Sequence, residues 1–122
     1  MLWYLKHDEG KSEGGLYKYF EGNAIKIADS VNSFICFDDS NILLFRNYKQ
    51  TKSELTADLY CYSENEDVKI DANVSLNHLR YHNAKDFAYI RNYTEDVGGE
   101  LCVYFNEKLN IIESGVNEIV FY

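Results

Sequence analysis

Three stretches of this sequence are copies of one another. Residues 16–31 read LYKYFEGNAIKIADSV, residues 59–74 read LYCYSENEDVKIDANV, and residues 101–116 read LCVYFNEKLNIIESGV. Their starts lie 43 and then 42 positions apart, and each runs 15 positions from a first Leu to a closing Val. Four columns agree in all three: Leu16/Leu59/Leu101, Tyr19/Tyr62/Tyr104, Ile27/Ile70/Ile112 and Val31/Val74/Val116. A period of this length means one supersecondary unit that buries its apolar face only by stacking on further copies. The repeat therefore bounds the fold before any single motif is read, and it predicts that the Leu and Ile columns are buried.

Each copy reads as short strands. Residues 1–6 (MLWYLK) form an apolar, aromatic run, and residues 7–15 (HDEGKSEGG) a polar, Gly-rich loop. Strands are expected at 16–20, 24–27 and 31–37, with turns at 21–23, 29–30 and 38–41. The cycle restarts with a strand at 42–45, a loop at 46–58, and strands at 59–62, 68–70 and 74–81. It restarts again at 87–90, with a loop at 91–100 and strands at 101–105, 109–112 and 116–122. No window of about 11 residues keeps a helical period, so essentially no helix is expected. Aromatic residues make up 16% of the chain, with 11 Tyr and 7 Phe, which suits half-buried pleated surfaces. Each unit is thus about four short strands, the content of one propeller blade, whose two faces are both covered by neighbours.

An aromatic strand, then Arg-Asn-Tyr and a polar loop, then LYxY, a turn, Lys-Ile-Asp and Val resembles the blades of bacterial six-bladed propellers. Those are the propellers related to TolB and to the low-density-lipoprotein-receptor YWTD modules. The residues that carry the likeness are Phe45-Arg46-Asn47-Tyr48, Leu59-Tyr60-Cys61-Tyr62, Lys69-Ile70-Asp71, Val74, Ile90-Arg91-Asn92-Tyr93 and Leu101. No YWTD tetrad occurs, and Lys6-His7-Asp8 stands in the first copy where the others have Arg-Asn-Tyr. The resemblance implies an all-β chain of three four-stranded blades that acts as a binding or scaffolding surface.

Three blades fall short of the four to eight that close a propeller. The sequence divides into one repeat domain, with units at about 1–40, 41–84 and 85–122. The cycle is offset, so a strand at 116–122 is placed to complete the first blade of another copy. Two chains of three blades make the six that the resemblance implies, and a strand edge left open recruits a partner. Either the chain is part of a longer protein or copies assemble, and the expectation is a homodimer formed by strand exchange. The competing fold is a β-trefoil, also three repeats of four strands, which closes within one chain and would favour a carbohydrate- or ligand-binding lectin.

Charge narrows the partners. The net charge of −8 opposes binding to phosphate backbones and to anionic membrane surfaces. No apolar run approaches the roughly 20 residues of a spanning helix. The first residues turn polar after five positions, unlike a secretory signal, and Cys36, Cys61 and Cys102 are an odd number without zinc spacing. They read as free thiols, mostly buried, which weakly favours the cytoplasm.

The candidate chemistry is sparse. His78 and His82 are four apart, a ligand spacing on helices but not on strands, so all three histidines read as solvent or edge residues. The acidic stretches 38–41 and 63–67 lack the calcium-loop pattern and suit turns. Gly14-Gly15 and Gly98-Gly99 read as turn glycines. No nucleophile lies beside a base and no cofactor or metal motif occurs, so the expectation is a non-enzymatic module. The best ligand-binding candidates are Arg46, Asn47, Tyr48, Arg91, Asn92 and Tyr93, placed by the repeat in equivalent loops on one rim. Arg and Tyr are common anchors at such surfaces, for a protein, glycan or small molecule.

Overall fold

A computed structural model describes residues 1–121. Every regular element among them is a strand: β1 (Leu2–His7), β2 (Gly14–Phe20), β3 (Asn23–Val31), β4 (Ser33–Cys36), β5 (Ile42–Gln50), β6 (Leu55–Ser63), β7 (Glu66–Asn83), β8 (Asp86–Thr94), β9 (Gly98–Phe105) and β10 (Lys108–Val116). Pairing is antiparallel throughout, in one sheet ordered β1-β2-β3 and another ordered β10-β9-β8-β7-β6-β5-β4. Sheet neighbours are also sequence neighbours, so the chain is a meander of hairpins. The fold is all-β, but hydrogen bonding divides it into three and seven strands, where three sheets of four were expected. Neither sheet closes on itself, as the barrel of a trefoil must.

The difference arises at β7. The sequence suggests separate strands at 68–70 and 74–81, yet one strand runs for 18 residues. Residues 66–75 pair with β6, whereas Val74 and residues 79–83 pair with β8. Asn73 takes a φ of 54°, so the ladder changes partner without the strand ending. The two halves of the large sheet then face each other. Leu43 and Phe45 of β5 share a core with Phe87 and Tyr89 of β8, and the rings of Phe37 and Tyr81 meet edge-on at 5.3 Å. In a flat sheet β5 and β8 would lie about 14 Å apart, three strand spacings. The contact therefore requires the sheet to fold over.

A second core joins the small sheet to the other face of β5. Leu16, Ala28 and Val31 pack with Ile42, Leu44 and Tyr62, and Trp3, Leu5 and Ile27 close around them. Successive residues of β5 point into different cores, which is why 42–45 is continuously apolar. The result is three packed layers: β1–β3, then β4–β6 with the first half of β7, then the second half of β7 with β8–β10.

Backbone geometry recurs along the chain. The pairs Glu21-Gly22, Glu64-Asn65 and Asn106-Glu107 all have positive φ, and each joins two strands in a two-residue turn. Two positive φ values in a row define the type I′ hairpin, whose twist matches the strands it connects. Ser30, Asn73 and Gly115 are likewise all left-handed, at φ of 55°, 54° and 69°. All of these positions are separated by 43 and then 42 residues, like the sequence copies.

Burial follows the columns only in part. Leu16, Leu59, Val31 and Val74 are fully buried, and Ile27 and Ile70 are half-buried. In the last copy Leu101 and Val116 are half-buried and Ile112 is 58% exposed, against the expectation for that column. The reason is position: β10 is an edge strand of the last layer, with no further layer over it. The strand expected at 116–122 is also absent as such. β10 ends at Val116, residues 117–121 lie outside any strand, and Tyr122 lies outside the described residues.

Candidate functional site

The two Arg-Asn-Tyr triplets lie in strands, not in loops. β5 continues to Gln50 and β6 starts at Leu55, while β8 continues to Thr94 and β9 starts at Gly98. The expected loops 46–58 and 91–100 shrink to 51–54 and 95–97. The pairing shows why polar residues sit there. Arg46 faces Asp58 and Lys49 faces Thr56, so Asn47 and Tyr48 oppose Ala57 alone. Arg91 faces Glu100 and Thr94 faces Gly98, so Asn92 and Tyr93 oppose Gly99 alone. Each is a β-bulge with a left-handed first residue, Asn47 at φ 56° and Asn92 at φ 53°. Asn tolerates that conformation better than other residues with a side chain. The first copy, with Lys6-His7-Asp8, pairs Lys6 with Gly15 and His7 with Gly14 without a register shift.

Each triplet residue has a partner within the fold. Asn47 donates to Asp58 Oδ2 at 2.7 Å, and Asn92 donates to Glu100 Oε1 at 3.1 Å while accepting from Asn73 Nδ2 at 2.7 Å. Arg46 reaches back to the first layer, donating from Nε to the Asp29 carbonyl at 2.9 Å. Its Nη1 pairs with Asp67 at 2.7 Å, and its guanidinium lies 4.5 Å from the Tyr60 ring centroid. Arg91 makes the corresponding reach into the second layer. Its Nη1 lies 3.0 Å and 3.2 Å from the two Asp71 oxygens, and its Nε lies 3.2 Å from Glu100. Burial works against the Arg91 charge, but the hydrogen bonds it donates to Glu100 and Asp71 outweigh that cost, and its pKa is raised. Tyr89, buried beneath, donates to Asp71 Oδ2 at 2.7 Å; burial first and that bond second push its pKa up. Both arginines are thus clamps between layers.

The tyrosines tie each bulge to the corner where one layer passes to the next. Tyr48 Oη hydrogen-bonds Ser33 Oγ, and its backbone N–H donates to Asn32 Oδ1 at 3.3 Å. Tyr93 packs on the His78 ring, with centroids 4.2 Å apart. His78 is therefore not a solvent residue. Its Nδ1 lies 2.8 Å from Ser75 Oγ and 3.5 Å from Glu54 Oε1, and Ser75 also bonds Glu54 directly. Serine, histidine and glutamate meet here, yet the arrangement is not that of a hydrolase. Ser75 is fully buried, and the acid and the hydroxyl converge on the same ring nitrogen, whereas a triad needs them on opposite nitrogens. Glu54 joins the corner to the 51–54 turn, as Asn32 joins it to the 8–13 loop by donating to the Ser12 carbonyl at 3.0 Å.

Open surface remains beside the bulges. Asn47, Lys49, Thr56, Asp58, Ala72 and Asn73 line one groove, and Lys49, Ser53, Tyr93, Glu95 and Asp96 line the next. Asn47 and Asn92 are exposed, whereas the Arg46 and Arg91 side chains are only 14% and 21% exposed. Sequence reasoning missed Asp58, Asp67, Asp71 and Glu100. The available signal was an acid directly before Leu59 and Leu101, facing each Arg-Asn-Tyr, with Gly15 at that place in the first copy.

The other candidates resolve locally. Asp38 Oδ1 accepts from the backbone of Ser40 and Asn41, both at 2.8 Å, so this acidic stretch builds its own turn. Hydrogen bonds from Asn41 and Ser40 lower the Asp38 pKa. Cys102 is buried, Cys61 half-buried and Cys36 exposed, and all three are free. Gly98 and Gly99 are close-packed: a Cβ on Gly99 would lie 2.5 Å from the Arg91 carbonyl. Compared with known proteins, the chain matches no family model, no curated sequence and no solved structure.

Proposed function

We propose that this chain is a non-catalytic, half-propeller scaffold that becomes complete by associating with a second copy. In this reading the large sheet counts as two four-stranded blades, β4 to the first half of β7 and the second half of β7 to β10. The small sheet is a third blade lacking one strand. The observation that carries the reading is the uncovered outer face of β1–β3. Leu2 and Tyr19 pair across it and are 57% and 44% exposed, beside the stacked rings of Tyr4 and Tyr17 at 5.2 Å. A soluble protein that presents such a face gains by covering it. The equivalent spacing of the positive-φ residues supports reading all three layers as one repeated unit.

Light scattering tests the proposal. The expected mass is twice 14.2 kDa, with a contact above the roughly 2,000 Å² at which obligate interfaces begin. A stable 14.2 kDa monomer at working concentrations overturns it. The grooves beside Asn47, Asn73 and Tyr93 are the surface such a scaffold offers to a protein, glycan or small molecule. A glycan array together with a metabolite thermal-shift screen tests that part, and a hit abolished by Asn47→Ala with Tyr93→Ala supports it.

A further inference from the structure

We propose that residues 118–121 form the missing strand of the first blade of a second copy, pairing antiparallel with the open edge of β1. The inference rests on the self-association just proposed and specifies how it is made.

The open edge is defined by comparison within the molecule. β5 pairs on one side with β6 and on the other with β4, and β8 pairs with β9 and β7. Among the described residues, β1 pairs with β2 alone. The pair Leu5–Leu16 stands where Phe45–Leu59 and Ile90–Leu101 stand in the other layers. Ile42, at the place in β5 that Leu2 holds in β1, is covered face-on by the first layer, whereas Leu2 beside the open edge is 57% exposed on the outer face. An edge with apolar side chains and unsatisfied backbone groups recruits a strand.

The occupant follows from the same comparison. The strand that fills the edge of β5 comes directly after Val31, and the one that fills the edge of β8 comes directly after Val74. The segment directly after Val116 is Asn117-Glu118-Ile119-Val120-Phe121, which belongs to no strand. Each Val is followed by a polar residue: Asn32 and Ser75 tie their corners to the loop behind, at the Ser12 carbonyl and at Glu54, and Asn117 lies beside Gly98. Residues 118–121 then correspond to β4. The chain cannot serve its own β1 with this segment. Phe121 stacks on His82 of the third layer at 4.5 Å, and β1 lies at the opposite end of the stack.

The register can be transposed residue by residue. β4 pairs Ser33 with Phe45, Phe34 with Leu44, Ile35 with Leu43 and Cys36 with Ile42. The equivalent pairs are Glu118–Leu5, Ile119–Tyr4, Val120–Trp3 and Phe121–Leu2, three of the four apolar on apolar. Val120, 64% exposed in the single chain, would cover Trp3 on the side that faces the second layer. Two copies related by a two-fold axis make this contact twice, identically.

Cysteine cross-linking reads the register directly. In a Cys36→Ser background, Ile119→Cys with Tyr4→Cys brings two thiols within disulfide range across the strand pair, and Ile119→Cys with Lys6→Cys does not. The expected result is a disulfide-linked dimer on a non-reducing gel for the first pair, at least tenfold faster than for the second. Val120→Pro removes a backbone donor from a segment that no strand of the single chain uses. It should leave the far-UV spectrum unchanged and weaken association at least tenfold. Equal cross-linking of both pairs in a protein that is dimeric by light scattering overturns the register and leaves the self-association standing. Dimerisation untouched by Val120→Pro overturns the strand exchange. A monomeric parent chain overturns both proposals.

Discussion

Leu59 and Ile112 both belong to columns shared by all three copies, yet their surroundings differ. Leu59 is fully buried between two layers, and Ile112 is 58% exposed on an edge strand. Leu59→Ala should cost about 2–5 kcal/mol, the range for deleting a filled core side chain. Ile112→Ala should stay within about 0.5 kcal/mol. Urea unfolding of both variants checks the contrast. Cys102 offers a second test at this scale. Burial first, and then Asp71 and Glu100, raise its pKa from the ordinary 9.0 to about 11, against the opposing pull of Arg91. The fold therefore favours the neutral thiol, and the unfolded chain loses its proton first as pH rises. Between pH 9.0 and about 11 this residue should remove stability at roughly 1.4 kcal/mol per pH unit. Cys102→Ala should flatten that part of the pH profile. Maleimide labelling of the native protein should follow exposure, Cys36 before Cys61 before Cys102.

At the scale of single elements, the bulges explain what the sequence did and did not disclose. The apolar run 42–45 was legible because it fills two cores at once, the run 87–90 because all four of its residues are buried, and Gly22 marked a hairpin because it accepts a positive φ. Arg-Asn-Tyr looked like the start of a loop because it is polar and carries Asn. In the folded chain that Asn is the left-handed residue of a bulge, and the strand resumes after it. Local composition does not distinguish the two, since the distinction depends on Asp58 and Glu100 on the facing strand. His78 was misread for a similar reason: its partners Glu54 and Tyr93 come from other strands and turns, and no short-range spacing brings them together. Asn92→Val should cost about 1–2 kcal/mol, because a β-branched residue is strained at φ 53°. Arg91→Ala strips a charge-assisted partner from Asp71 and should cost about 1.5–3 kcal/mol, read from the shift in the denaturation midpoint. Replacing Arg46, Tyr48, Arg91 and Tyr93 together should therefore destabilise the fold substantially, not merely remove a binding face.

Across the whole molecule, burial runs through the second and third layers and thins at the outer strands β1 and β10. β5 and β8 each have four consecutive buried residues, whereas β10 is exposed along almost its whole length and β1 carries an open edge. The sequence period anticipated stacked units; it did not reveal that β7 runs unbroken from the second layer into the third, because a strand that changes partner looks, in sequence, like two strands. That shared strand couples the second and third layers covalently and by hydrogen bonding, while the first layer meets the second through side chains and the 31–33 corner. Local opening should follow this architecture. Hydrogen exchange should be slowest in the doubly paired, buried strands β5, β6, β7 and β8, and fastest in β10 and β1. Concentration separates the two ends. If residues 118–121 pair with β1 of a second copy, the outward amides of β1 gain partners only in the dimer. Raising the protein concentration through the association range should then slow exchange in β1 and in 118–121 together, while β5 and β6 stay unchanged. Exchange in β1 that is independent of concentration, in a chain shown to dimerise, would mean that the partner covers the outer face and leaves the strand edge open.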